Sequence, residues 1–270
     1  MRQAFYLMML LAVLFSNACT TPTSGDNTAA PASSPAANDQ AAAPRQRFWV
    51  TETHVKPELI AQFREFYLKE TLPAQQKAGV KQQSVWTTAM LGEAFEYVTI
   101  RPIEGLQQFD ENPMVKVLGE EGARQWAAKR ATLIVRSHSY VMQARPDMSI
   151  APNQDYIPKL AFVTRASIAP GRSADHENYI KTDVLPIIKK TNVKGQLVNK
   201  VAQGGDTEMY ITATFMDSFA DYDNWAAALQ KEGYGNVVAK RAGIMLHREA
   251  AVYRYVPELS IRPQTVAANK

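Results

Sequence analysis

Apolar residues recur along the chain in some segments with the spacing of a strand and in others with the spacing of a helix. The order of these segments predicts the elements of the fold. Phe48–Val55 is rich in β-branched and aromatic side chains, which predicts a strand. A helix is predicted from Pro57, since proline is favoured in a first helical turn. Apolar residues then recur at helical spacing, at Leu59, Ile60, Phe63, Phe66 and Tyr67. The first half continues with strand, strand, helix and strand, over Gln82–Leu91, Phe95–Arg101, Met114–Ala131 and Ile134–Ala144.

The same pattern occurs a second time. Val50-Thr51 returns as Val163-Thr164, and Leu72-Pro73 returns as Leu185-Pro186, in both cases at an offset of 113. Near the second helix of each half the offset becomes 111. A period this long predicts two homologous units, because solenoid repeats are only about 20–50 residues long. We therefore predict a tandem duplication with repeats over residues 47–150 and 159–260 and a linker over residues 151–158.

The second half supplies the matching elements. A hairpin is expected around Gly204-Gly205-Asp206, a helix over Tyr222–Ala242 and a last strand over Leu246–Tyr255. Both first helices are predicted to end in a left-handed residue, Gly79 in one half and Asn192 in the other.

The order βαββαβ predicts an α+β fold of the ferredoxin-like type, with strand order 4-1-3-2 and helices on one face. Two such sheets can close against each other into a barrel. The pattern, with its repeated Leu-Pro, resembles the dimeric α/β barrel superfamily over about Arg47–Ser260. NIPSNAP-like proteins and antibiotic-biosynthesis-type monooxygenases belong to that superfamily. The resemblance implies small-molecule binding, cofactor-independent monooxygenase or isomerase chemistry, or haem handling.

The haem chemistry of the resembled proteins does not map onto this sequence. The Asn-Trp-His set of the haem-degrading members has no matching positions. Haem peroxidase relatives place an axial histidine on a helix of one repeat. His176 lies at a predicted helix start between Asp175 and Glu177, where we expect a solvated first turn. No cofactor is therefore predicted.

Polar residues on the strand face opposite the helices are the candidate site. Because strands 1 and 4 should be antiparallel neighbours, Glu52 and His54 are expected near Arg136 and His138. In the second half, Arg165 is expected near His247 and Glu249. The cluster is either an acid/base site in a barrel cavity or a set of cross-strand ion pairs. Further lining is expected from Tyr140, Tyr253 and Trp86.

Composition narrows the function classes. Hydrophobic residues make up 46% and charged residues 21% of 270 residues, which is a globular mixture. The net charge of +4 comes from scattered Lys and Arg, so no nucleic-acid partner is expected. The chain has no His-Glu-x-x-His motif and one cysteine, so no metal site is predicted.

The N-terminal segment, residues 1–18, is predicted to be a signal peptide. Arg2 precedes the apolar run Phe5–Phe15, which is too short for a membrane span and fits a secretory segment. Ser16–Cys19 resembles a bacterial lipobox, although the family favours leucine where Ser16 stands. Cys19 is therefore expected to carry lipid. The Ala/Pro/Ser-rich residues 19–46 read as a disordered tether, and residues 261–270 as a C-terminal tail.

Thr20, and not Asp, follows the cysteine, and by resemblance to Gram-negative lipoproteins this implies sorting to the outer membrane. These observations predict an envelope lipoprotein, anchored to the outer membrane and facing the periplasm, whose barrel binds a small, partly apolar ligand. Cleavage after Ala18 is the alternative and would release a soluble periplasmic protein. Two further alternatives stay open, an enzyme of the barrel superfamily and a structural or partner-binding module with a filled barrel. The sequence leaves the oligomeric state open.

Overall fold

A computed structural model describes residues 45–262 of the chain. The predicted signal peptide over residues 1–18, the predicted lipid-bearing Cys19, the predicted tether up to residue 44 and the predicted tail beyond residue 262 lie outside the described residues. Within residues 45–262 there are eight strands. They are β1 (Arg47–Val55), β2 (Ser84–Met90), β3 (Glu96–Ile103), β4 (Ile134–Ala144), β5 (Leu160–Ile168), β6 (Gln196–Gln203), β7 (Met209–Met216) and β8 (Met245–Tyr255).

The helices follow the predicted positions with adjusted ends. They are α1 (Ile60–Phe66), α2 (Leu72–Lys77), α3 (Pro113–Leu133), α4 (Ser173–Tyr179), α5 (Leu185–Ile188), α6 (Phe219–Lys231) and α7 (Tyr234–Val238). The predicted helix over Met114–Ala131 is not continuous, because Gly119 inside α3 has φ 71° and ψ 171°, which breaks the helix. A five-residue π-helical turn joins α1 to α2 (Tyr67–Thr71), and another joins α4 to α5 (Ile180–Val184). The two turns hold equivalent positions in the two halves, and π-turns are frequent at functional sites.

All eight strands close into one antiparallel barrel in the order β1-β3-β2-β8-β5-β7-β6-β4. Each half therefore has the predicted strand order 4-1-3-2. The halves meet where β2 pairs with β8 and where β4 pairs with β6. These pairings leave neither sheet with an open edge, so the predicted closure into a barrel is confirmed.

Alternation along the strands divides the protein into an interior and an outer layer. Val50, Val98, Ile211 and Ala251 belong to the core inside the barrel. The opposite strand faces pack against the helices; in the first half Phe63 and other buried side chains of α1 form that core.

Two predictions about the helices of the second half are wrong, one about where a helix ends and one about the continuity of a helix. Gly79 has φ 84° and ends its helix as expected, but Asn192 does not have a positive φ. The second half instead uses the Thr191 hydroxyl, which donates to the Ile188 carbonyl at 2.7 Å. The predicted helix over Tyr222–Ala242 is interrupted at Gly233, whose φ is 82°, because this left-handed conformation cannot continue a helix.

The helices between residues 45 and 262 include none with the length and apolar character required to cross a bilayer.

Candidate functional site

The barrel interior holds a polar chamber at one mouth and an apolar chamber toward the other. The polar chamber has a volume of about 340 Å³ and is lined by Glu52, His54 and other charged residues. The apolar chamber has a volume of about 190 Å³. Tyr140, Arg165 and Tyr253 line both chambers, so these three side chains form the wall between them.

An ion pair between the two halves lies at this wall. Glu52 on β1 and Arg165 on β5 hold corresponding positions with opposite charge, since each lies on the first strand of its half and pairs with the last strand of that half. The Arg165 Nη2 lies 2.7 Å from the Glu52 Oε1. The Tyr140 hydroxyl donates to the same carboxylate oxygen at 2.9 Å, and the Arg165 Nη1 donates to the Tyr253 hydroxyl at 3.2 Å.

The network continues into the polar chamber through two carboxylates that sequence reasoning missed. The Tyr253 hydroxyl donates to the Glu96 Oε2 at 2.7 Å. The His54 ring lies between Glu96, at 3.3 Å, and Glu93, at 3.1 Å, and Arg136 also contacts Glu93. Glu93 and Glu96 flank the hairpin turn, where alternation gives no reliable face. Pairing of His54 with Glu96 across β1 and β3 is the register that brings them together.

The wall residues are held in one protonation state. Burial lowers the pKa of Arg165, but Tyr253 and Glu52 outweigh it and raise the pKa overall. Burial, together with Glu52, raises the pKa of Tyr140, and burial also raises that of Tyr253. Both phenols are therefore neutral donors and Arg165 is a cation at neutral pH. The polar groups of this wall satisfy one another.

The other predicted site residues are placed differently. His138 lines the polar chamber with its ring 5.8 Å from Tyr140, and the Glu249 Oε1 lies 3.7 Å from Arg165. His247 is not part of the chamber lining, and its side chain is 70% exposed. Trp86 lines the apolar chamber instead, stacked on Phe215 at 6.3 Å.

A second cavity lies between the sheet and the helices of the second half, and we call it the second-half cavity. Its volume is about 280 Å³, and its walls come from strands of the second half and from α4, α6 and α7. Among the described residues, four buried side-chain polar atoms have no hydrogen-bond partner. Three of them belong to residues that line this cavity: the His176 Nδ1, the Tyr179 hydroxyl and the Trp225 Nε1.

The interpretation of His176 as a solvated residue is wrong. It is only 3% exposed, and its ring lies 4.6 Å from the Tyr210 ring. The first turn of α4 turns inward because α4 packs its Tyr179 side into the core. Burial, with the positive charges of Arg145 and Lys200, lowers the pKa of His176 to about 4. The imidazole is therefore neutral at pH 7.

The second-half cavity does not fit a haem, although a buried neutral histidine can bind iron. Its volume of about 280 Å³ is below the roughly 300–1,000 Å³ of pockets for drug-sized ligands, and a porphyrin is larger than most of these. Across residues 45–262, no group of three or more His, Cys, Asp or Glu side chains is arranged to hold a metal ion.

Comparison with known proteins identifies the fold. No protein-family model matches the chain, and a search of curated proteins also finds no match. Solved structures do match. A protein from Lactobacillus acidophilus, provisionally named a monooxygenase, has 7% identity and a TM-score of 0.52, over 81% of this chain and 97% of its own.

Two further structures match over a similar length. A provisionally named monooxygenase from Fusobacterium nucleatum has 12% identity and a TM-score of 0.53, over 79% of this chain and 94% of its own. An anthrone oxidase-like protein has 11% identity and a TM-score of 0.53, over 79% of this chain and 92% of its own. At such identities the likeness concerns the fold alone. This chain has the α+β architecture of the dimeric α/β barrels.

Proposed function

We propose that this protein is a lipid-anchored envelope protein with a barrel fold built from a duplicated βαββαβ unit, and that it binds a small, partly apolar molecule between the outer face of the barrel and the helices. We assign the ligand to the second-half cavity. One observation carries this assignment: His176, Tyr179 and Trp225 line a single cavity, and each has a buried polar atom that lacks a hydrogen-bond partner within the described chain.

The chemistry of the cavity indicates the kind of ligand. A buried polar group without a partner costs roughly 1–3 kcal/mol, so three of them favour a ligand that supplies partners. The phenol and the indole N–H are donors, and a neutral imidazole offers one donor and one acceptor. Aromatic side chains form one wall, with the Phe162 and Tyr222 rings 4.9 Å apart. These features suit an aromatic molecule that carries hydroxyl or carbonyl groups.

Two tyrosines of the cavity should respond to the loss of their hydroxyl in opposite directions. Tyr179→Phe is expected to raise the free energy of unfolding by about 1 kcal/mol without ligand, because a buried polar group with no partner among the described residues is removed. Tyr210→Phe should lower it by about 1.5 kcal/mol, because the Tyr210 hydroxyl donates to the Glu177 Oε1 at 2.7 Å. Urea denaturation measures both. Destabilisation by Tyr179→Phe would argue against a hydroxyl reserved for a ligand.

Native mass spectrometry of the purified protein tests binding directly, and we expect a co-purified small molecule. Titration with 1-naphthol then tests whether the ligand binds in the second-half cavity. We expect saturable binding that His176→Gln and Tyr179→Phe each weaken about tenfold, the value of one hydrogen bond. Glu52→Gln, in the barrel wall, is the control and should leave binding unchanged. Absence of both a co-purified mass and saturable naphthol binding would favour the structural or partner-binding alternative.

Proton-transfer chemistry in the polar chamber is the second candidate, of the cofactor-independent monooxygenase or isomerase kind. The presence of Glu52, His54 and His138 in the lining of one chamber supports it, because carboxylates and imidazoles are the side chains that most often act as general acids and bases. Here Glu52→Gln and His138→Ala would abolish binding or oxygen consumption while His176→Gln would not. The monooxygenase names of the similar structures make oxygen consumption the first activity to measure.

The lipid anchor is tested separately from the ligand. We expect radiolabelled palmitate to label the wild-type protein in the membrane fraction, and Cys19→Ser to lose both the label and the membrane association. Ser16→Leu, which restores the favoured lipobox residue, should keep both. An unlabelled wild-type protein in the soluble periplasmic fraction would instead support cleavage after Ala18.

A further inference from the structure

The first half has its own cavity between sheet and helices, which we call the first-half cavity. It has a volume of about 290 Å³ and lies between the outer face of β1, β3 and β4 and the helices α1–α3. Unlike an ordinary hydrophobic layer, its lining is rich in hydroxyl groups, from Thr51, Thr53, Thr71, Thr99, Ser137 and Ser139.

The second-half cavity keeps part of this polarity, since Thr164 and Thr212 stand at the positions of Thr51 and Thr99, but three other polar positions differ between the halves. The relevant segment is the π-helical turn and the helix that follows it. Three polar side chains there line the first-half cavity, and the residues at the equivalent positions of the second half line the second-half cavity as aliphatic side chains. The pairs are Tyr67 and Ile180, Thr71 and Val184, and Gln75 and Ile188. Because aliphatic residues fill these positions in the same fold, packing does not require the polar ones.

Two arginines line the first-half cavity without a carboxylate beside them. Within the described part of the chain, no aspartate or glutamate belongs to its lining. The Arg130 Nη2 donates to the Ser137 and Thr53 hydroxyls, at 2.9 and 3.3 Å. Arg101 carries its guanidinium carbon 5.3 Å from the centre of the Phe109 ring. Burial lowers the pKa of both arginines, and only Tyr67 opposes this. Partly buried cations usually have an anionic partner.

We propose that the first-half cavity binds a small organic anion that carries hydroxyl groups. Arg101 and Arg130 hold its carboxylate or phosphate, because guanidinium groups match both in geometry. The Thr and Ser hydroxyls hydrogen-bond the rest of the ligand, and the ring of Trp126, fixed by its Nε1 on the Thr71 hydroxyl at 3.1 Å, covers its carbon skeleton. This site is independent of the second-half cavity and of its aromatic ligand.

Calorimetry at constant ionic strength tests the site, with D-gluconate as the carboxylate probe, inorganic phosphate as the phosphate probe and sorbitol as the neutral control. We expect one or both anions to bind to wild-type protein and sorbitol not to bind. Arg101→Met and Arg130→Met should each weaken anion binding at least tenfold. Arg101→Lys should weaken anion binding less, because lysine keeps the positive charge and loses only the bidentate hydrogen bonding of the guanidinium group. Circular dichroism and urea denaturation show that each variant is folded.

Arg124→Met is the matched control, because Arg124 is exposed on the same helix as Arg130 and pairs with Glu121 at 2.6 Å. It should leave the anion affinity unchanged, and the cavity arginine variants should leave 1-naphthol binding unchanged. The proposal is overturned if neither anion binds to wild-type protein, or if the double variant Arg101→Met/Arg130→Met keeps the wild-type affinity. If wild-type protein binds an anion but does not bind 1-naphthol, the proposed function is overturned and the anion site is not.

Discussion

Replacing Arg145 with methionine is expected to lower the free energy of unfolding by about 3 kcal/mol, the range for removing one partner of a buried ion pair. Arg145 follows β4 and is only 3% exposed. Its Nη2 lies 2.9 Å from the Asp147 Oδ2 and 2.6 Å from the Glu177 Oε2. The residue thus joins the first half of the barrel to α4 of the second half. Without it, the partly buried Glu177 loses its countercharge.

The ion pair between Arg145 and the Asp147 carboxylate makes the free energy of unfolding depend on pH. Hydrogen bonds from Arg145 lower the pKa of Asp147, so its contribution to stability is present above the unfolded value of about 4. That contribution is lost as the pH falls further, toward the pKa of the folded state. In Arg145→Met this acid sensitivity of the unfolding transition should be smaller than in the wild-type protein.

Urea denaturation with a matched pair of variants checks the Arg145 expectation. Arg124→Met removes the same kind of side chain from an exposed pair and should change stability by no more than about 0.5 kcal/mol. Adding Glu177→Gln to Arg145→Met should recover part of the loss, since the uncompensated charge is then gone. Equal stabilities of Arg145→Met and Arg124→Met would contradict the contact between the halves.

His176 should make the protein less stable as the pH falls from about 6.5 to 4. The unfolded histidine has a pKa of about 6.5, and burial with Arg145 and Lys200 lowers the folded value to about 4. Between these values the unfolded state binds more protons, so protons favour unfolding. A difference of this size corresponds to about 3 kcal/mol, absent at pH 7 and fully developed near pH 4.

His176→Gln should remove this component, so the difference in stability between variant and wild type should change by about 3 kcal/mol across the window. His247→Gln is the control, because the His247 side chain is 70% exposed and should leave the profile unchanged. Urea denaturation at several pH values between 4 and 7 measures both. Parallel profiles of His176→Gln and wild type would mean that His176 is not held neutral by its surroundings.

Particular residues show how far sequence reasoning reached at the site. Alternation along β1 put Glu52 and His54 on the interior face, and antiparallel pairing put them opposite His138 and Arg136, as the register has it. Alternation says nothing about contacts across the lumen. The sequence therefore predicted two separate clusters, although Arg165 reaches Glu52 at 2.7 Å and joins them.

At His176 the local sequence pattern led to a wrong prediction. Its charged neighbours Asp175 and Glu177 indicate a solvated turn when only the chain is considered. The structure instead buries the ring against Tyr210, because α4 packs Tyr179 into the core and Arg145, distant in sequence, holds Glu177 in the same turn. A local pattern cannot register an ion pair between residues 32 positions apart.

The sequence by itself determined the α+β class and the element order, because periodicity and turn residues are local properties that the second half of the chain repeats. The strand order of each half followed from matching that element order to the ferredoxin-like motif. Only the tertiary structure decided which polar groups meet and which stay without partners. Closure of the barrel sets the contacts across the lumen, and packing of helices on its outer face decides which side chains lose water. Both are long-range consequences of burial, so two halves with one pattern acquire cavities of different chemistry.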